Sequence, residues 1–350
     1  MKDFLIVGTG LTGSIIARQL TDKGFYCLVI DRRNHIGGNC YTVKQKNINV
    51  SVYGGHYFRT NNLKTWNYVN KYTKFHPYYH TVKVNYKDKI YSFPINLLTF
   101  HQIWNDVKTP DEARKKIETV RMKISNPSNF EERALSLLGE EIYQIFFYGY
   151  TKKQWGLEPK ELPDTILKRL PIRFDFNDRY KDKKYQGMPV DGYTKLFEEL
   201  LKGIDVQLET PYDKKILAEK IIYTGAIDEY YDYIYGKLEY CGIKYSYSND
   251  DIGCPQMNYT DIEIPYMRKF CYGYEYPDNK YKNFITATEY SSRDFEPAYP
   301  ILTKKNIELY NKYKSIKNNN VIFCGRLGSY SYLDMDQAIE RSFEVVRNLI

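Results

Sequence analysis

Apolar positions at the start of the chain come in short unbroken runs. Phe4-Leu5-Ile6-Val7 stops at Gly8, and Tyr26-Cys27-Leu28-Val29-Ile30 stops at Asp31. Unbroken runs of this length predict strands buried on both faces. Between them, over 11–23, Ile15, Ile16 and Leu20 recur on one face and predict a helix. Residues 36–42 read as a glycine-rich loop, followed by a hairpin-like stretch through Tyr53-Gly54-Gly55, and 63–74 as a helix. Over 81–93 the pattern alternates around Lys87-Asp88, predicting two strands and a turn. From about 98 to 150 the period is helical, with Leu135, Leu138, Ile142, Ile145 and Phe146 on one stripe and a loop at Asn126-Pro127-Ser128-Asn129. Residues 160–300 mix short strands with turn residues. The end repeats the style of the beginning: a helix over 304–316, a buried strand at 321–324, a glycine turn and a helix over 335–349. The long middle therefore reads as inserted into a nucleotide-binding domain that starts and finishes the chain.

The first turn carries chemistry. Gly8-Thr-Gly10-Leu-Thr-Gly13 follows a strand and opens a helix. Gly8 allows the tight turn, Gly10 lets a pyrophosphate approach the backbone, and Gly13 lets helix and strand pack closely. The first helical N–H groups then face the phosphates. Asp31 ends the second strand, placed to accept from a ribose hydroxyl. The residues after it favour FAD over NAD. Asp31-Arg32-Arg33 leads into Ile36-Gly37-Gly38-Asn39, a second glycine loop resembling that of flavoproteins of the glutathione-reductase type. Phe323-Cys324-Gly325-Arg326 before Asp334-Met335 resembles their second flavin motif.

Composition narrows the class. The chain has 350 residues, enough for two or three domains, and 27% charged against 43% apolar residues is ordinary for a soluble globular protein. No stretch approaches the roughly 20 apolar residues of a membrane span, and the apolar opening reads as a strand rather than a signal peptide, so a cytoplasmic location is expected. None of the six cysteines forms a CxxC pair, so reduced, buried thiols are expected and no metal site. The net charge of +8 is spread along the chain, which fits a small anionic substrate and argues against nucleic acid. Most of the 37 tyrosines read as compositional drift; a few would stack on a base or donate to phosphate.

In order along the chain stand RNHIGGN (33–39), YGGHYFRT (53–60), FPINLLTFHQIW (93–104), GYTKKQWG (149–156), KRLP (168–171), GYTKL (192–196), IIYTGAID (221–228), EPAYP (296–300) and GRLGSYSYLDMDQAI (325–339). This set resembles the prokaryotic UDP-galactopyranose mutase family over nearly the whole chain. The resemblance implies an α/β fold: a Rossmann-like FAD-binding domain (1–78, 188–238, 304–350), an inserted helical domain (96–152) and an antiparallel sheet domain (79–95, 153–187, 239–303). It implies an isomerase of homodimeric or other oligomeric state. The enzyme would interconvert a UDP-hexopyranose and its furanose form through an adduct between reduced flavin N5 and the sugar. An external reductant such as NADPH or NADH, and a downstream furanosyltransferase in cell-surface polysaccharide synthesis, are implied too.

By the same resemblance, Arg169 and Arg268 clamp the leaving diphosphate, a task suited to guanidinium forks. Tyr180, Tyr299 and Tyr332 complete that shell, Phe146 and Tyr150 form a wall for uracil, and Trp155 covers the substrate from a mobile loop. Asn258, Glu289 and His80 line the substrate pocket, and His56 and Arg59 lie against the flavin. Gly8, Gly10, Thr12, Gly13, Asp31, Arg32, Gly38, Asn39, His56, Arg326, Leu333, Asp334 and Met335 hold the cofactor. The plain alternative makes Phe146, Tyr150 and Trp155 core aromatics and Arg169 a surface charge. The sequence also departs from the family. Arg59 replaces a histidine, Cys241 an arginine, His80 an asparagine, Ala298 a tyrosine and Asp191 a glycine. Arg59, with its five donors, either holds an acetamido carbonyl at C2, which would admit UDP-N-acetylgalactopyranose as well as or better than UDP-galactopyranose, or simply changes the flavin's surroundings. The lost cation at Cys241 keeps dTDP-fucopyranose and UDP-arabinopyranose open. A flavin oxidoreductase of the amine-oxidase type shares the flavin motifs but needs no diphosphate clamp.

Overall fold

The computed structural model describes residues 2–169, 171–275 and 283–350, with Lys168 and Arg169 as backbone alone. The chain divides into two compact units. The first comprises residues 1–78, 183–240 and 297–350; the second comprises 79–182 and 241–296. The helical stretch 96–152, expected as a domain of its own, thus shares one unit with the sheet.

The first unit is built on a five-stranded parallel sheet. Its order is Asp205–Gln207, Cys27–Ile30, Phe4–Val7, Lys220–Tyr223, Val321–Phe323. The central strands are apolar because both faces are covered. On one face lie Ile16, Ala17 and Leu20 of the helix Leu11–Thr21 with Val346 of the helix Met335–Leu349; on the other lie Tyr212, Tyr223 and Tyr230. Strands from the beginning, middle and end of the chain meet here, so the doubly wound fold is completed only by its last segment. A small sheet, Phe58–Thr60, Tyr185–Pro189 and Phe75–Pro77, packs Phe58, Phe75, Tyr193 and Phe197 together.

In the second unit, strands run in the order Tyr240–Ser248, Thr286–Ser292, Arg268–Cys271, Gln256–Tyr259, Val82–Tyr86, Lys89–Phe93. Pairing is antiparallel except between Gln256–Tyr259 and Val82–Tyr86. Lys87 and Asp88 close the last hairpin with φ of 49° and 61°, as a two-residue turn of primed type requires. Helices Leu97–Ile103, Pro110–Val120 and Phe130–Leu138 each begin at a polar cap (Asn96, Thr109, Asn129) that accepts from the first turn. A π-helical turn, Gln144–Tyr148, then runs into the helix Gly149–Trp155. Among the described residues, no helix is long and apolar enough to cross a membrane.

Candidate functional site

In the first unit the glycine turns are sterically determined. Gly8 sits at φ 109°, where a side chain would also strike Thr224 Oγ1. A Cβ on Gly13 would fall on the Gly8 carbonyl oxygen, whereas a Cβ on Gly10 meets nothing nearer than Gly38 Cα at 3.9 Å. Gly13 is therefore needed for packing, and Gly10 leaves open space above the backbone. The helix Leu11–Thr21 begins at Gly10 with no side-chain cap, so its first amides are left for an anion. The second glycine loop closes over this turn. Gly38, at φ 54°, would set a Cβ 2.9 Å from Gly10 Cα, and Gly37 N–H donates to Thr9 O at 3.1 Å. Gly325, at φ 72°, brings the C-terminal motif within 3.5 Å of Thr12 Oγ1, measured from the position of an added Cβ. Three glycine turns from distant parts of the chain thus enclose one helix start, as an adenine dinucleotide requires.

Asp31 is buried and busy. Its Oδ2 accepts from Thr9 N at 2.7 Å and Thr9 Oγ1 at 2.6 Å, and its Oδ1 from Arg33 N at 3.0 Å. Three of roughly four lone-pair positions are used in bracing the turn, so a ribose hydroxyl has one left. Arg33 donates to Asn39 Oδ1 at 3.0 Å and lies 4.5 Å over the Tyr53 ring; His35 stacks on Tyr41 at 4.0 Å. His56 is tied through Nδ1 to Gly54 O at 2.8 Å. Arg59, in the Phe58–Thr60 strand, points away from the face on which Phe58 and Thr60 are buried. Arg32 lies at the surface, 3.9 Å from Glu229. Arg326 donates to Leu333 O at 2.9 Å and lies over Tyr299 and Tyr332, which stack on each other at 5.2 Å. Asp334 caps the helix Met335–Leu349, its N–H held by Gln337 Oε1.

In the second unit the predicted residues fall into one row across the sheet. Asn258 pairs with Arg268, Arg268 with Glu289, and Glu289 with Tyr245. Directly opposed residues share a face of a sheet, so four polar side chains from four strands stand side by side. Glu289 is 1% exposed. Its Oε1 accepts from Arg268 Nε at 2.8 Å and its Oε2 from Tyr245 OH at 2.9 Å. Held at Nε by a carboxylate, the guanidinium is fixed in its plane. Behind Asn258 stand two more buried groups, Gln256 and His80, and the Tyr180 ring meets His80 edge-on at 5.9 Å.

Other expected residues are placed differently. Trp155, expected on a mobile loop, is the last residue of the helix Gly149–Trp155 and is 5% exposed. Phe146 is buried in the π-helical turn, stacked on Phe93 at 6.0 Å and against Tyr91; Tyr150 is half-buried one turn on. Cys241, where a cation was expected from the family, is buried, with Sγ 2.8 Å from Gln154 O and 2.7 Å from Ser291 Oγ. Burial pushes its thiol up to about 11, so it supplies no charge of either sign near neutral pH. The Arg169 side chain lies outside the described residues; its backbone ends the short helix Asp164–Arg169. Sequence reading missed Gln256, Tyr245 and Lys153. Gln256 was legible, since it stands two residues before Asn258 on a strand; Tyr245 emerges only from strand register.

The family profile of UDP-galactopyranose mutase matches residues 145–332, and that of an NAD(P)-binding Rossmann-like domain matches residues 6–72. The chain is 42% identical to the Escherichia coli dTDP-fucopyranose mutase, over 98% of this chain and 97% of that protein. This chain belongs to the UDP-galactopyranose mutase family. It is equally 42% identical to a probable UDP-galactopyranose mutase of Klebsiella pneumoniae, over 98% of this chain and 93% of the relative. The fold agrees: a crystal structure of reduced UDP-galactopyranose mutase superposes with a TM-score of 0.77 at 14% identity, covering 100% of this chain and 94% of the other. Family membership makes the chain a nucleotide-sugar pyranose–furanose mutase, an isomerase.

Proposed function

We propose that the chain interconverts UDP-galactopyranose and UDP-galactofuranose with FAD in the glycine cradle, and that UDP-N-acetylgalactopyranose is a second substrate. The observation that carries this reading is the Arg268–Glu289 pair. A buried carboxylate that fixes a guanidinium at Nε is suited to a leaving diphosphate, whose charge must be held when the anomeric bond breaks. The first amides of the helix Leu11–Thr21 would hold the cofactor pyrophosphate, with Arg326 and the Tyr299–Tyr332 stack at the second flavin motif, and His56 and Arg59 would face the flavin. FAD, bound and reduced, supplies the nucleophile for the anomeric carbon. Asn258 orients the nucleotide, Tyr180 and Arg169 complete the diphosphate shell, and Phe146 and Tyr150 support the base. Reduction by NADPH or NADH, a homodimer, a cytoplasmic setting and a furanosyltransferase as consumer of the product belong to the same proposal.

A second reading takes dTDP-fucopyranose as substrate. It is favoured by the Escherichia coli relative, which matches at the same 42% identity as the Klebsiella pneumoniae one. The uncharged Cys241 fits a pocket that has changed its sugar. One experiment separates the two. The protein is reduced with dithionite and incubated anaerobically with UDP-galactopyranose, UDP-N-acetylgalactopyranose and dTDP-fucopyranose, and furanose product is separated by chromatography. Turnover of the two UDP-sugars supports the first reading. Turnover of dTDP-fucopyranose alone replaces it with the second.

A further inference from the structure

His80, Gln256 and Asn258 form a buried chain, 3%, 3% and 5% exposed. His80 Nε2 lies 2.8 Å from Gln256 Oε1, and Gln256 Nε2 donates to Asn258 Oδ1 at 2.7 Å. A carboxamide oxygen can only accept, so His80 carries a proton on Nε2. That proton orients Gln256, and Gln256 in turn orients Asn258 with its oxygen inward. The Asn258 Nδ2 donors then have no acceptor among the described residues. The Asn258 Nδ2 group reaches open space, where a ligand oxygen can accept from it.

We propose that this relay determines ligand specificity: it holds the donor end of Asn258 toward the substrate, so the pocket takes an acceptor oxygen there and rejects a donor. The inference rests on the nucleotide-sugar reading. Two sources could supply the oxygen: a carbonyl of the pyrimidine, or an oxygen of the sugar. Uracil and thymine present the same carbonyls, so the relay serves either reading of the substrate, while cytosine presents an amino group in place of one carbonyl.

The test inverts the relay. In Gln256→Glu the carboxylate accepts from His80 and from Asn258, so Asn258 must turn and present its oxygen. Gln256→Met removes both bonds at similar volume. Dissociation constants of UDP, CDP and UDP-galactose are measured by titration calorimetry on flavin-loaded protein, with the flavin spectrum and melting temperature as controls on folding. The wild type is expected to prefer UDP over CDP by about tenfold to a hundredfold, as a site built around one hydrogen bond does. That ratio is expected to fall at least about tenfold in Q256E and to approach unity in Q256M. An unchanged UDP/CDP ratio with a selective loss of UDP-galactose affinity relative to UDP supports the relay and assigns the oxygen to the sugar. UDP binding with both ratios unchanged in both variants overturns the relay and leaves the mutase reading intact. Failure of the wild type to bind UDP, CDP or UDP-galactose, with no furanose formed, overturns both.

Discussion

At the first glycine turn the groups proposed to face the cofactor pyrophosphate belong to the backbone of the first unit: the uncapped amides after Gly10 and the open space above that residue. In the second unit they belong to side chains, Asn258, Arg268 and Glu289, held by Tyr245, Gln256 and His80. The difference is one of tolerance. A backbone site is set by sterics at a few glycines and accepts any side chain that keeps clear. A side-chain site is set by which donor meets which acceptor, and one exchanged atom reverses it. The first therefore suits a cofactor common to a family, and the second suits a substrate that differs between members.

Breaking the backbone side of this contrast has the largest effect. In Gly13→Ala the new Cβ falls on the Gly8 carbonyl oxygen, so the turn has to open or the helix has to move. The protein is expected to purify colourless, with flavin occupancy below roughly a tenth of wild type. Occupancy near the wild-type value would show that the turn is not sterically fixed. On the side-chain side, Arg268→Ala is expected to lower kcat/KM by about a hundredfold or more with the flavin spectrum unchanged. Glu289→Gln keeps the shape but not the charge that fixes Arg268, and is expected to cost about tenfold. A shifted flavin spectrum in either variant would erase the separation between the two regions. Arg59→His tests a residue of the first unit that departs from the family. A change of about twofold to tenfold in the turnover ratio of UDP-galactopyranose to UDP-N-acetylgalactopyranose is expected, and an equal ratio would leave Arg59 no discriminating part.

The same contrast explains what was legible in the sequence. Gly8, Gly10, Gly13 and Asp31 announce themselves because a backbone site needs its glycines at fixed spacing between a strand and a helix. The parallel sheet followed from unbroken apolar runs. Asn258, Arg268 and Glu289 were visible only through family resemblance, because the row that joins them is made by register between strands far apart in sequence. Trp155 was put on a loop by family resemblance alone, and here it ends a helix that Gly156 caps at φ 62°. Lys153, one of two adjacent lysines in GYTKKQWG, gave no sign that it differed from Lys152. Lys152 pairs with Glu158 near the surface, while Lys153 points into a turn of the sheet.

That lysine joins the two materials, and supplies the smallest effect. Lys153 Nζ donates to the carbonyls of Tyr259, Asp261, Ile264 and Tyr266 at 2.8, 2.7, 3.0 and 3.0 Å. These carbonyls line the connection between Gln256–Tyr259 and Arg268–Cys271, the strands that carry Asn258 and Arg268. Burial pushes the ammonium down to about 8, against the opposing pull of the Asp261 carboxylate. Above that pH an amine with two N–H groups replaces an ammonium with three, and its lone pair faces carbonyl oxygens. The connection is expected to loosen and kcat/KM to fall by about threefold to tenfold between pH 7 and 9, while Lys153→Met starts low and stays flat. Unfolding does not account for such a fall. Because the folded-state value lies below the ordinary 10.5, the unfolded chain holds the extra proton between the two, and this group makes the fold more stable as pH rises through that window. A melting temperature that drops in step with turnover would therefore refute the local explanation. A flat wild-type profile would mean that the four carbonyls hold the proton against burial, so that Lys153 stays charged throughout that range.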